Sequence, residues 1–141
     1  MELSPRHPTA FAGARRDCAT ALGPSMLALA AHDLVETHDC FTIAELIAYE
    51  AMGLALPGQG FRIVREGVAE RSGRLPVNPS GGLKARGHPL GATGVSMHVM
   101  AAMQLSNTAG RMQIPNARLA GVFNMGGAAV ANYVSILEPL R

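Results

Sequence analysis

At 141 residues, with 48% hydrophobic and 16% charged side chains, the chain has the length of one domain over 1–141 that buries its own core. The net charge is +2 and the basic residues are scattered apart from the doublet Arg15-Arg16, so there is no electrostatic basis for nucleic-acid binding. Two cysteines form neither a disulfide framework nor a C-x-x-C metal spacing; apolar runs are short, and the N-terminal stretch lacks a signal-peptide core, which implies no membrane span and a reducing, cytoplasmic setting.

In chain order, residues 8–22 read as a helix, with Phe11, Arg15, Cys18 and Leu22 on one side and Gly23-Pro24 as its breaker. The apolar stretch "SMLALAAHDL" leads into a strand at "LVET", residues 34–37. Thr42, with Glu45 three residues on, has the spacing of a capping box. Ile43, Leu46, Ile47 and Glu50 follow at helical spacing, and Gly53 is a stop. Residues 55–77 are rich in Pro, Gly and charge and predict a long surface excursion, with a short strand at "FRIV". A second helix is expected over 91–108, its inner side Val95, Val99, Ala102, Met103 and Ser106, with Gly110 as its stop. "RLAGVFNM" and "AVANYVSIL" are strands joined by a tight hairpin at Gly126-Gly127. The order helix, strand, helix, helix, strand, strand predicts an α/β fold: a mixed β-sheet packed by helices.

Two stretches carry chemistry. Cys40 lies two residues before Thr42, where helix amides and the positive end of the macrodipole favour a thiolate. His38 lies two residues before Cys40, on the same face if the backbone is extended. Imidazole beside thiol makes thiolates and proton shuttles; the alternative is a buried cysteine acting as a small hydrophobe. Five glycines between 81 and 94 (Gly81, Gly82, Gly87, Gly91 and Gly94) allow backbone to approach a ligand closely. The run "GLKARGHP" has P-loop glycine spacing, but His88-Pro89 replaces the required Lys and Ser/Thr, which excludes a nucleotide loop. Pro89 holds His88 extended at the mouth of a helix, as a catalytic base or as a histidine packed in a turn. His98 reads as a packed mid-helix residue, His7 and His32 as surface residues, and Tyr49 and Tyr133 as core.

Three stretches together, "HDCF" at 38–41, "GGLKARGHPLGATG" at 81–94 and "FNMGGAAVANYVSILE" at 123–138, resemble the C-terminal part of a thiolase. The resemblance spans roughly residues 21–138 and is to the sterol-carrier-protein type of thiolase, since conventional members have Asn-Glu-Ala-Phe in place of His38-Asp39-Cys40-Phe41. It implies thiolytic cleavage or Claisen condensation of 3-oxoacyl-CoA thioesters, with the coenzyme A thioester as substrate, no cofactor and no metal. It implies that His88 activates a nucleophile and holds the thioester oxygen, that His38 serves that same oxygen, and that Cys40 is the acid/base cysteine. It further implies that the Gly126 amide is an oxyanion donor, and that Gly81, Gly82 and Gly87 bind substrate. Conventional thiolases place the acid/base cysteine in a Cys-x-Gly motif, where this sequence has Asn124-Met125-Gly126.

The family has two similar halves, with the nucleophilic cysteine in the first. This sequence shows no counterpart of that half, and Cys18, in "RRDCATAL", lacks the glycine-rich surround of a nucleophile. The half-domain is expected to lack its first strand, to expose a sheet edge and an apolar face, and to work with an N-terminal thiolase half or as a homo-oligomer. The rival readings are a non-catalytic binding or scaffold subunit and a thiolase-like lyase of sterol side-chain CoA esters.

Overall fold

The computed structural model describes residues 29–127 and 129–140. The helix expected over 8–22, with Cys18, and the surface position expected for His7 lie outside the described residues. Three strands form one mixed sheet in the order β1-β2-β3: β1 is Leu34–Thr37, β2 is Ala120–Gly126 and β3 is Ala131–Leu137. β1 and β2 are parallel, with Leu34 opposite Ala120 and Thr37 opposite Phe123. β2 and β3 are antiparallel, from Ala120–Leu137 to Gly126–Ala131. The mixed sheet packed by helices is the architecture expected from the sequence.

Strand alternation divides the core. On one face Val35, Phe123 and Met125 pack against Ala44, Ala48 and Tyr49 of α1, Thr42–Ala51, and Ile63 of α2, Phe61–Arg65. Behind the other face Leu34, Ala120 and Val122 pack against Met97 and Ala101. These two belong to α4, Thr93–Leu105; between α2 and α4 lies the short helix α3, Gly82–Arg86. Tyr49, Phe123 and Leu34 are fully buried, and burial of each such side chain contributes about 1.5–3 kcal/mol.

Several expectations are corrected. No capping box forms: Phe41 precedes the helix in extended conformation, its carbonyl accepts Glu45 N–H at 3.1 Å, and no side chain caps the end. The Glu45 carboxylate instead accepts the Tyr49 hydroxyl at 2.7 Å and pairs with Lys84. "FRIV" is helical. Glu50 Oε1 accepts Gly60 N–H at 2.8 Å, and a Cβ on Gly60 would stand 2.2 Å from the Leu46 carbonyl oxygen, so only glycine starts α2 there.

Residues 55–77 are not simply a surface excursion. Leu75 and Val77 are buried, and Val77 makes a parallel bridge with Val35. Val35 N–H donates to Pro76 O at 2.9 Å and Asn78 N–H to Val35 O at 2.8 Å, which covers the outer edge of β1. The inner side of α4 is Thr93, Met97, Ala101 and Gln104, while Val95 and Val99 face outward. The hairpin turn lies beyond Gly126, which still pairs with Ala131, and Val130 N–H donates to Gly126 O at 3.1 Å. His32 is buried, its ring against Gly121, and Tyr133 is exposed. Among the described residues, no helix is long and apolar enough to cross a membrane.

Candidate active site

Parallel strands β1 and β2 end side by side, and a crevice outside the carboxyl ends of such strands is the usual place for a ligand in an α/β sheet. His38 N–H donates to Phe123 O at 2.9 Å, continuing the parallel pairing one step beyond β1. That sets His38 beside Asn124. A cavity of about 810 Å³ opens at this end. His38, Cys40, His88, Asn124 and Gly126 line it, with Phe41, Ile43, Ile47, Leu90, Met125 and Tyr133 as largely apolar walls. Gly126 reaches it as the last residue of β2.

The two imidazoles meet edge to face, ring centroids 4.9 Å apart and planes at 88°. His38 Nδ1 lies 3.0 Å from Asn124 Oδ1. A carboxamide oxygen only accepts, so Nδ1 carries the proton and Nε2 of the neutral ring is left as acceptor. Burial pushes the His38 pKa below the ordinary histidine value; the Asn124 bond works against this, and nearby His88 adds to it. His38 is thus held neutral at a pH where a solvated histidine is already charged.

His88 is fixed in parallel fashion. Its Nδ1 is 2.7 Å from Thr93 Oγ1, and that hydroxyl donates its single proton to Pro89 O at 3.1 Å. The hydroxyl therefore accepts from His88 Nδ1–H, which leaves Nε2 with the lone pair. Two imidazoles, each anchored through Nδ1, and one half-buried thiol line a single apolar-walled cavity. Such a set can move a proton on and off a carbon acid and hold a carbonyl oxygen as charge develops on it.

Of the residues singled out in the sequence, His38, Cys40, His88 and Gly126 share the cavity, whereas Gly81, Gly82 and Gly87 lie outside its lining. The close approach at Gly82 is made by a side chain of the protein: a Cβ there would stand 2.1 Å from Asp39 Oδ2. Sequence reading did not assign Asn124 or Thr93 a part in holding the imidazoles; for Thr93 the signal available was a hydroxyl residue five positions after His88, at the first turn of the following helix. It also passed over Glu36. This carboxylate is fully buried on β1, accepts the Ser80 hydroxyl at 3.1 Å and lies 3.6 Å from Arg86 Nη2. Burial pushes its pKa up to about 7 despite Ser80 and Arg86. Among the described residues, no group of three or more His, Cys, Asp or Glu side chains could hold a metal ion.

The α/β half-sheet presents two histidines and a cysteine at its strand ends. Residues 1–139 match the family described as Thiolase C-terminal domain-like, and the chain belongs to that family. It is similar to an acetyl-CoA acetyltransferase of Methanothermobacter thermautotrophicus, 47% identical over 106 residues, which are 75% of this chain and 28% of that protein. Sterol carrier protein 2 of Rattus norvegicus is 45% identical over 113 residues, 79% of this chain and 20% of that protein. Benzoylsuccinyl-CoA thiolase subunit BbsB of Thauera aromatica is 39% identical over 100 residues, 70% and 26%. The chain thus spans between a fifth and somewhat over a quarter of the length of these relatives. Among solved structures, the fold is shared with a chain of an Ltp2-ChsH2(DUF35) aldolase, at a TM-score of 0.75 and 22% identity, covering 89% of this chain and 31% of that one.

Proposed function

We propose that this chain is the C-terminal half of a thiolase-type acyl-CoA acyltransferase, acting in the cytoplasm on 3-oxoacyl-CoA by thiolytic cleavage or Claisen condensation. The observation that carries this reading is the meeting of His38, Cys40 and His88 in one cavity at the strand ends. In this reading Cys40 moves the proton at the carbon next to the thioester. His88 and His38 face the thioester oxygen, and Gly126 offers its amide to an oxyanion. The acyl group is carried by a nucleophilic cysteine of an N-terminal thiolase half, which docks on this chain. The chain by itself therefore turns over no substrate.

The test is cleavage of acetoacetyl-CoA by coenzyme A, assayed with the chain alone and with an N-terminal thiolase half carrying the nucleophile. Activity is expected only in the mixture, and is expected to be lost in Cys40→Ala and in His88→Ala. Turnover by the mixture that survives both substitutions would remove these residues from the mechanism; a mixture that binds acyl-CoA but never turns over would leave the chain a binding subunit.

A further inference from the structure

Five-residue helix α3 is far too short to hold its shape unaided, yet it leads straight into His88. Its own preceding residue, Gly81, has no side chain to cap it. The cap comes from elsewhere in the chain. Asp39, between His38 and Cys40, is almost fully buried, and its Oδ1 accepts Leu83 N–H at 2.7 Å. Its Oδ2 lies 3.5 Å from Lys84 Nζ. The carboxylate fills the space a side chain on Gly82 would need, and Gly81 and Gly82 both take positive φ to let the chain turn around it. Asp39 thus ties the start of α3 to the same loop that carries His38 and Cys40.

We infer that Asp39 is a positioning residue: by capping α3, it sets where His88 stands relative to His38 and Cys40. Two further carboxylates face this helix: Glu45 of α1 pairs with Lys84, and Glu36 of β1 lies 3.6 Å from Arg86 Nη2, while Arg86 Nη1 donates to Ser96 Oγ of α4 at 2.7 Å. Those contacts are made by the Lys84 and Arg86 side chains, and of the three carboxylates only Asp39 accepts a backbone N–H of α3 among the described residues. The Asp39 carboxylate is therefore the tie that fixes the α3 backbone to the His38 loop, and its loss is expected to let the two imidazoles separate. The catalytic consequence rests on the acyl-CoA reading; the geometric claim does not.

The experiment uses NMR of the histidine rings in the 141-residue chain. In the native chain, His88→Gln removes the neighbouring ring that disfavours the charged form of His38 and should raise the His38 titration midpoint. The same upward shift, and a ring-to-ring NOE between His38 and His88, are expected in Asp39→Asn, which keeps the acceptor oxygen. Both are also expected in Ile114→Ala, which weakens the separate core behind the sheet. In Asp39→Ala the NOE should vanish and His88→Gln should no longer move His38. If Asp39→Ala does not fold, Asp39→Glu carries the test, since it keeps the charge but displaces the acceptor by a methylene. Persistence of the NOE and of the full shift in the non-capping variant overturns the inference.

In the enzyme assay, Asp39→Ala should lower kcat by about a hundredfold with KM little changed, the cost of an ångström-scale misplacement, and Asp39→Asn should restore most of it. An inactive native mixture would sink the acyl-CoA reading while leaving the NMR result to decide the role of Asp39.

Discussion

The rings of His38 and His88 stand 4.9 Å apart, edge to face, and each is held through Nδ1 by a different neighbour, Asn124 for the first and Thr93 for the second. Two imidazoles this close resist double protonation, and burial already favours the neutral form of His38. The acceptor at Asn124 is the natural point of adjustment. Asn124→Asp keeps the shape and the hydrogen bond but places a negative charge on Nδ1–H, which favours imidazolium. The His38 midpoint should rise above its native value, read as the pH dependence of its ring resonances. Because the native value lies below that of an unfolded histidine, acidification through the ordinary histidine range protonates the unfolded chain first and lowers stability. In Asn124→Asp this acid-side loss should shrink. A midpoint that stays put or falls would mean that the carboxamide does not hold the ring.

Glu36 gives a pH dependence of the opposite sign. Its carboxyl titrates near 7 in the fold and near the ordinary value of 4.5 when unfolded. Between those values the folded chain keeps a proton that the unfolded chain has released. The stabilising contribution is present in full below about pH 4.5 and is lost as pH rises through 7. A shift of this size corresponds to about 3 kcal/mol. Glu36→Gln is uncharged at every pH and should flatten this part of the stability curve, measured by urea denaturation from pH 5 to pH 8, so that its advantage over the native chain grows with pH. Parallel curves for the two proteins would show that Glu36 is not held protonated.

Two glycines of the His88 turn should respond differently to alanine. Gly87 has φ +90 but open space around its Cβ position, so Gly87→Ala meets backbone strain alone, about 1–3 kcal/mol. Gly82 has φ +67, and a Cβ there would also strike the Asp39 carboxylate at 2.1 Å. Gly82→Ala adds overpacking of about 1–3 kcal/mol to the strain. Thermal melts of the two variants should place Gly82→Ala clearly below Gly87→Ala; equal melting temperatures would mean that Asp39 yields without cost.

The parts of the fold legible in the sequence were those specified locally. Alternation marked "AVANYVSIL", while "LVET" and "RLAGVFNM" read as short strands, and Gly53 marked the end of α1 with φ +84. Distant partners decided the rest. Glu45 satisfies both the spacing of a capping box and the reach of an ion pair, and Lys84, 39 positions away, wins it. "FRIV" is a short apolar run that periodicity assigns to neither helix nor strand, and Glu50, which binds Gly60 N–H, settles it. At the site, the cysteine and histidines were visible as residue types in glycine and helix-start contexts. What holds them was not: Asn124 reaches His38 across 86 positions and Asp39 reaches Leu83 across 44, and no periodic signal encodes either contact.

α4 shows how a misassigned face carries information. Val95 and Val99 form an apolar stripe that sequence reading took for the inner side, yet they are 68% and 46% exposed, while Met97 and Ala101 on the opposite side are fully buried. α4 thus carries apolar side chains on its outer as well as its inner side. Leu90, 84% exposed in the turn that precedes this helix, is a further apolar residue and stands on the wall of the cavity. Under the proposed function, this is the surface on which an N-terminal thiolase half would dock. Serine at both Val95 and Val99 removes little buried area within the chain and should change its own stability by no more than about 0.5 kcal/mol each. The same pair of substitutions should weaken binding of the N-terminal half by an order of magnitude or more, about 1.4 kcal/mol, measured by titration calorimetry. Unchanged affinity with unchanged stability would place the docking surface elsewhere on the chain, and a large loss of stability would show that the stripe is already packed.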